Sequence, residues 1–138
     1  MADIVSPAVR SRMMSAIRGR DTQPELKVRR YLHAVGLRFR LHGRALPGTP
    51  DIILAGRKVA IFVHGCFWHQ HPGCRFATTP ATRPDLWQTK FAATKARDAA
   101  AVGKLKALGW KVFTIWECET RDELNLDGLI WAVFSARD

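Results

Sequence analysis

The sequence has few cysteines, few acidic residues and no long apolar run, and each shortage argues against a class of protein. Three cysteines cannot all pair with one another, which argues against a disulfide-stapled scaffold and favours a metal site if they converge. No segment approaches the roughly 18 apolar residues of a membrane span. The N-terminus lacks the basic region and apolar stretch of a secretory signal, so we expect a cytoplasmic protein with no membrane partner.

Acidic residues are scarce relative to basic ones: 12 Asp and Glu stand against 22 Lys and Arg, a formal net charge of +10. This balance favours a polyanionic partner, with nucleic acid first, over a small neutral ligand. A basic but otherwise unspecialised protein is the alternative. The length of 138 residues predicts one domain, over 22–138. We expect residues 1–21 to form a basic arm that orders on a partner, or else a solvated tail.

Apolar spacing predicts the element order α, β, β, β, α, β, α. Thr22-Gln-Pro-Glu25 is typical of a helix start, with Thr22 as the N-cap and Glu25 as its capping-box partner. The predicted strands cover residues 37–41, 51–54, 59–63 and 110–116, and the later helices cover 85–108 and about 124–134. The simplest fold for this order is α/β, a mixed central sheet flanked by helices.

The stretch HGCFWHQHPGC, residues 64–74, directly follows an almost wholly apolar strand and contains three of the five histidines. Cys66, His71 and Cys74 lie within it, and Cys118 follows the last strand; together they form a Cys3His set that suits zinc. The turn Pro72-Gly73 can fold this loop back on itself. Buried cysteines without a metal and a surface histidine are the alternative.

His64 and His69 lie outside that zinc set, and two such imidazoles can transfer protons near neutral pH. Asp51 follows Pro50 at the start of the second strand, and the hairpin is predicted to place it beside His64. A carboxylate there can hold a hard divalent cation together with a backbone carbonyl and a DNA phosphate. Alternatively Asp51 only caps the preceding turn, and the histidines are ordinary surface or core residues.

Pro-Asp, a hairpin and polar groups at the end of its second strand resemble the PD-(D/E)xK nucleases. The chain more closely resembles the very short patch repair (Vsr) endonucleases, which nick DNA beside a T:G mismatch. That resemblance rests on the motifs MMSAIRGRDT, LPGTPDIIL, IFVHGCFWHQHPGC, PATRPDLW and LKALGWKVFTIWEC. It implies a restriction-endonuclease-like fold. The usual acid-x-lysine is replaced by Val63-His64, so a histidine is expected to take the part of the lysine.

The resemblance also implies two metals. Catalytic magnesium is expected on Asp51 and the backbone carbonyl of Val63, with Glu25 approaching through water. His69 is the expected base that activates the attacking water, and His64 positions water or assists the leaving oxygen. The structural zinc of the family corresponds to the four residues that the spacing also suggests, namely Cys66, His71, Cys74 and Cys118.

DNA contacts are implied in the same way. Phe67, Trp68 and Trp87 correspond to aromatics that wedge into the base stack next to the mismatch, and Met14 to an arm residue that reaches the other groove. The alternative is that the two tryptophans belong to the core. Val63 and Thr94 stand where the family has threonine and often asparagine, respectively.

The resulting expectation is a magnesium-dependent, zinc-stabilised enzyme that nicks duplex DNA 5′ of the thymine in a T:G mismatch. One alternative is a restriction-type or nicking nuclease of the same fold without mismatch specificity. Another is a zinc-stabilised DNA-binding module without hydrolytic activity. A nucleoid-associated monomer that contacts mismatch-repair proteins such as MutL is implied only by the resemblance.

Overall fold

The computed structural model describes residues 22–135 and contains the predicted elements in the predicted order. The helices are α1 (Gln23–Ala34), α2 (Pro84–Ala107) and α3 (Glu123–Ser135). The strands are β1 (Arg40–Leu41), β2 (Ile52–Leu54), β3 (Val59–His64) and β4 (Lys111–Trp116). Short 3-10 turns occupy Ala55–Arg57 and Glu119–Arg121. The predicted basic arm, with Met14, lies outside the described residues.

The four strands form one mixed sheet in the order β1-β2-β3-β4, antiparallel between the first three and parallel between β3 and β4. All six residues of β3 are buried, because helices cover both faces of this strand. Val59, Ile61 and Val63 share a core with α1 and α3, whereas Ala60 and Phe62 pack against α2 on the other face. The predicted mixed sheet between helices is confirmed.

The start of α1 follows from its cap. The Thr22 hydroxyl accepts a hydrogen bond from the Glu25 N–H at 3.4 Å, and a proline lies in the first turn. The Glu25 side chain is buried and accepts a hydrogen bond from Arg29 at 3.1 Å. The cap therefore fixes where α1 begins, and it places a carboxylate inside the protein.

The first strand is shorter than predicted. We expected it over 37–41, but it contains only Arg40–Leu41. The Leu37 N–H still bonds the Leu32 carbonyl at 3.0 Å, and the Leu37 side chain is buried with the core next to α1. Leu37 therefore belongs to the end of α1, and its N–H is not available to pair with a neighbouring strand.

The approach to β2 depends on Gly43. Its N–H bonds the Pro50 carbonyl at 2.9 Å, and the His42 N–H bonds the Asp51 carbonyl at 3.1 Å. A Cβ at position 43 would overlap the terminal methyl of Ile53, so a larger residue there would require that flexible side chain to move. The contact fixes the backbone of Asp51 at the edge of the sheet.

Helix α2 carries one buried stripe, in which residues recur three or four positions apart. Phe91, Ala101 and Leu105 are its buried members, and Gly109, with a φ of +87°, lies just beyond the helix end as predicted. None of the described helices combines the length and apolar character needed to cross a membrane.

Candidate functional site

The residues singled out from the sequence lie together at one edge of the sheet, meaning here the edge formed by the carboxyl ends of β3 and β4. Because β3 and β4 are parallel, their carboxyl ends lie together, with His64 opposite Trp116. The antiparallel strand β2 begins at the same edge. Cys66 and Cys118 each follow this paired position by two residues, and the Cys118 N–H lies 3.4 Å from the Cys66 sulfur. Parallel pairing therefore brings these two cysteines together.

The predicted Cys3His set converges on one point. The ligand atoms of Cys66, His71, Cys74 and Cys118 all lie within 4.8 Å of one another. His71 Nδ1 is 3.8 Å from the Cys66 sulfur and 3.4 Å from the Cys118 sulfur. Ligands at zinc bond lengths in a tetrahedron are about 3.4 to 3.8 Å apart, so both the donor types and their spacing fit a tetrahedral zinc ion.

The loop after β3 folds back through backbone hydrogen bonds. The His71 N–H bonds the Cys66 carbonyl at 3.0 Å, and the Cys74 N–H bonds the His71 carbonyl at 3.2 Å. Gly73 has a φ of +70°, as the predicted Pro72-Gly73 turn requires. The His71 ring stacks on Trp116 at a centroid distance of 4.2 Å, which orients its ligand nitrogen.

The thiols differ in their ease of ionisation. Burial raises the pKa of Cys66 to about 12 and also raises the pKa of Cys118. The Phe76 N–H lowers the pKa of Cys74. Since thiolates rather than thiols bind zinc, loading must displace protons from Cys66 and Cys118, the two thiols with raised pKa values. Zinc affinity should therefore increase as the pH rises.

A second cluster joins His64, His69 and Asp98. The two imidazole rings are stacked in parallel with centroids 3.8 Å apart, and His69 Nδ1 lies 2.7 Å from Asp98 Oδ2. Burial, reinforced by the charge of His69, lowers the pKa of His64 to about 4. His64 is therefore a neutral imidazole at pH 7. The contact with Asp98 holds the His69 ring and leaves its Nε2 as the position for another partner.

Asp98 was not predicted as a site residue, although the sequence contains a signal for it. Its spacing from Phe91, Ala101 and Leu105 places it on the buried stripe of α2. It is also one of only two acidic residues in this helix, the other being Asp85 in the first turn. A lone carboxylate on the core-facing stripe of a basic helix indicates a specific partner, which here is His69.

Asp51 lies at the same sheet edge, but its contact differs from the expected one. Its Oδ2 accepts a hydrogen bond from the Val63 N–H at 2.7 Å, because the register pairs Ile52 with Ile61. The carboxylate therefore contacts the backbone just before His64. Within the described residues, the clusters of three or more metal-binding side chains do not include Asp51.

The environment of Asp51 disfavours its charged form. Burial is the largest cause and raises the pKa of Asp51 to about 7, and the negative charge of Glu25 adds to this increase. The hydrogen bond from the Val63 N–H and the positive charge of Arg29 lower the pKa. Arg29 also bonds Glu25 and lies 3.5 Å from His42. The buried Glu25 and the half-buried Asp51 offer carboxylate oxygens, the hard donors that magnesium prefers, so the residues fit a divalent cation.

Three predicted DNA-contacting aromatics are in mutual contact. Phe67 lies 5.0 Å from Trp68 and 5.6 Å from Trp87, measured between ring centroids, and the two tryptophans are 6.1 Å apart. Trp68 is 38% exposed, which argues against a core role for that residue. Phe91, which sequence analysis did not select, supports the cluster from α2. An open pocket beside it is lined by Trp68, Trp87, Lys90, Phe91, Ala93, Thr94 and Arg97.

Comparison with known proteins identifies the family of the chain. The family model for the DNA mismatch endonuclease Vsr matches residues 2–75. The type II nicking enzyme V.XorIIP of Xanthomonas oryzae pv. oryzae is 48% identical, over 88% of this chain and 89% of its own length. The DNA mismatch endonuclease Vsr of Escherichia coli K12 is 41% identical, over 91% and 80%. These relatives are DNA endonucleases. The chain belongs to the Vsr family of DNA mismatch endonucleases.

Proposed function

We propose that the chain nicks duplex DNA on one strand, 5′ of the thymine in a T:G mismatch, by magnesium-dependent phosphodiester hydrolysis. The observation that chiefly supports this proposal is the His69–Asp98 pair, at 2.7 Å. A carboxylate-held imidazole is suited to proton abstraction. Asp51, just before β2, adds a half-buried carboxylate with a raised pKa, which is typical of a catalytic centre.

His69 is the proposed general base. Asp98 accepts from Nδ1, so the lone pair of Nε2 can take a proton from the attacking water. His64 is neutral at pH 7 and stacks on His69, so it acts as a hydrogen-bonding group that positions water or the leaving oxygen. The parallel stack, with ring centroids 3.8 Å apart, places both imidazoles against one substrate position.

Asp51 and the Val63 carbonyl are the proposed holders of magnesium, with Glu25 acting through water. When bound, the metal supplies positive charge that polarises the scissile phosphate and lowers the pKa of an attacking water. The Val63 N–H and the α1 cap restrict the two carboxylates before any metal arrives. Val63 requires only its backbone for this role, so valine in place of threonine is tolerated.

Zinc at Cys66, His71, Cys74 and Cys118 is proposed to be structural, because four protein ligands leave no position for substrate. His69 and the wedge residue Trp68 lie between the first two ligands in sequence. A metal that fixes Cys66 and His71 therefore also fixes the base and the wedge. Zinc thus contributes to catalysis by positioning.

Mismatch preference is proposed to come from Phe67, Trp68 and Trp87. A wedge must unstack a base step, which takes a few kcal/mol and less where pairing is already weakened. The exposed Trp68, supported by the other rings, is suited to this insertion. Contact with MutL, action as a monomer and association with the nucleoid remain predictions.

The direct test is a nicking assay on two duplexes that differ only in carrying T:G or T:A at one position. We expect magnesium-dependent cleavage of the thymine strand only, and only in the mismatched duplex. The similarity to a type II nicking enzyme makes a nuclease without mismatch preference the specific alternative. Equal cleavage of the two duplexes would establish that alternative, and binding without cleavage would indicate a DNA-binding module.

Replacing Asp98 by asparagine should lower the nicking rate by about 100-fold, because the amide no longer favours the tautomer in which His69 Nε2 is the acceptor. The measurement is single-turnover nicking on the T:G duplex, with duplex affinity measured in parallel. Affinity should stay within about twofold, since Asp98 acts only through His69. Asp85→Asn, at the exposed start of the same helix, is the matched control and should leave both quantities unchanged. An equal loss in the control, or an unaltered rate for Asp98→Asn, would contradict the role.

A further inference from the structure

Two arginines that lie outside the proposed catalytic residues Asp51, His64 and His69 share one aromatic ring. The guanidinium carbon of Arg75 lies 4.8 Å from the centroid of Phe76, and that of Arg121 lies 4.7 Å from it. Both arginines are exposed and Phe76 is half-buried. The two cations are therefore within about 10 Å of each other, close enough for one DNA phosphate or two adjacent ones to contact both.

The acidic neighbours of Arg121 do not neutralise it. Glu119 Oε1 accepts a hydrogen bond from the Trp116 N–H at 2.9 Å, and Asp122 Oδ1 accepts one from the Leu124 N–H at 2.9 Å. Both carboxylates are thus committed to backbone groups. Within residues 22–135, no ion pair joins a carboxylate to Arg75 or Arg121. Both guanidinium groups are therefore exposed and, among the described residues, free of a direct carboxylate contact, so they are available to a phosphate.

The Cys3His cluster holds both arginines in place. Arg75 directly follows Cys74, and Arg121 follows Cys118 by three residues. The segments that carry the two arginines therefore both begin at the cluster that is proposed to position His69 and Trp68. Stacking on an aromatic face uses the flat surface of a guanidinium and leaves its in-plane N–H groups to donate, a geometry that matches phosphate oxygens.

We propose that Arg75, Phe76 and Arg121 form a phosphate clamp that holds the DNA backbone away from the cleaved bond, at one phosphate or at two adjacent ones. The proposal rests on the DNA-nicking function proposed above. Contacts of this kind carry no sequence information, but they fix the register of the duplex. The clamp would set the strand relative to Trp68 and His69 through two segments that meet at the Cys3His cluster, the loop after β3 and the 3-10 turn Glu119–Arg121.

The experiment measures the affinity of the zinc-loaded enzyme for a T:G duplex and a T:A duplex across a range of salt concentrations, without added magnesium. For Arg75→Gln/Arg121→Gln, affinity should fall about tenfold or more on both duplexes alike. The slope of log affinity against log salt should become shallower by about 1 to 2. Zinc content and melting temperature should match the wild type, which shows that the loop is intact.

Two further variants separate a built clamp from net charge. Phe76→Leu keeps every charge but removes the shared ring, and it should weaken binding about threefold. Lys104→Gln/Lys106→Gln removes two exposed charges at the far end of α2, and it should change affinity by less than about twofold with the same salt slope. If the lysine variant weakens binding as much as the arginine variant, or Phe76→Leu has no effect, the clamp is refuted.

Neutral methylphosphonates placed one at a time along the duplex locate the contact. The wild type should lose affinity at one or two positions where the arginine double variant shows little further loss. Additive losses at every position would overturn the proposal, as would wild-type binding by the double variant. Nicking is measured separately with magnesium, so a wild type that binds but does not nick would remove the proposed function and leave the clamp standing.

Discussion

Replacing Asp51 by asparagine is expected to abolish nicking and, at the same time, to stabilise the metal-free protein. The amide oxygen can still accept the hydrogen bond from the Val63 N–H, so the local backbone is retained. The variant loses the charge that the proposed magnesium site requires. A loss of several kcal/mol of transition-state stabilisation corresponds to a rate lower by about 1,000-fold or more.

The gain in stability follows from the sign of the pKa shift. The pKa of Asp51 is raised from 3.8 to about 7 on folding, chiefly by burial, so the folded state binds the proton more tightly than the unfolded state does. The charged form therefore destabilises the fold increasingly as the pH rises from about 4 to about 7. The asparagine side chain has no such charge, so Asp51→Asn should stabilise the protein by about 1 to 3 kcal/mol above pH 7 and by almost nothing at pH 4.

Thermal unfolding of the wild type and of Asp51→Asn, measured from pH 4 to pH 8 without magnesium, checks this expectation. The difference in melting temperature should grow to roughly 5 to 10 °C and then level off above pH 7. Added magnesium should raise the melting temperature of the wild type but not that of Asp51→Asn. Asp127→Asn, on the exposed face of α3, is the control and should keep both the wild-type pH dependence and the wild-type response to magnesium. A variant that nicks normally, or a difference that does not depend on pH, would exclude this role for Asp51.

Sequence analysis could predict the order of elements because most of them have strong local signals. The Thr22 cap, the apolar run of β3 and the glycine after α2 each act over a few residues. The start of β1 could not be predicted in this way. The alternation over residues 37–41 was real, but the carbonyl of Leu32 competed for the Leu37 N–H, and only the packed structure shows which partner prevails.

The residues of the candidate site also differ in whether local sequence or only tertiary packing brings them together. The Cys3His set could be predicted because three of its members lie within nine residues and the fourth follows a strand. Asp98 was missed because it lies 29 residues from His69, and only the packing of α2 against the loop brings the two together. Asp51 was placed near the end of β3 from the hairpin alone, whereas its contact with the Val63 N–H depends on the register, which pairs Ile52 with Ile61 across a 3-10 turn.

Loss of His71, a proposed zinc ligand, is expected to have the largest effect on the fold. His71→Ala should lower the zinc content from about one ion per chain to a small fraction. Structural zinc sites contribute about 10 kcal/mol or more of apparent binding free energy in small domains, so the loop over residues 65–80 should lose its order. Because this loop carries His69 and Trp68, nicking should disappear as well, and the melting temperature should fall by at least about 10 °C.

Two variants distinguish loss of the metal from loss of a histidine. His71 also stacks on Trp116, so His71→Cys removes the ring while offering a set of four thiolates, which is equally suited to zinc. We expect His71→Cys to retain most of the zinc and much of the stability. His33→Ala, on the exposed end of α1, should behave as the wild type. Full zinc content in His71→Ala, or equal loss of zinc in His33→Ala, would show that the cluster does not bind zinc as a unit. The wedge and the base would then need another source of rigidity.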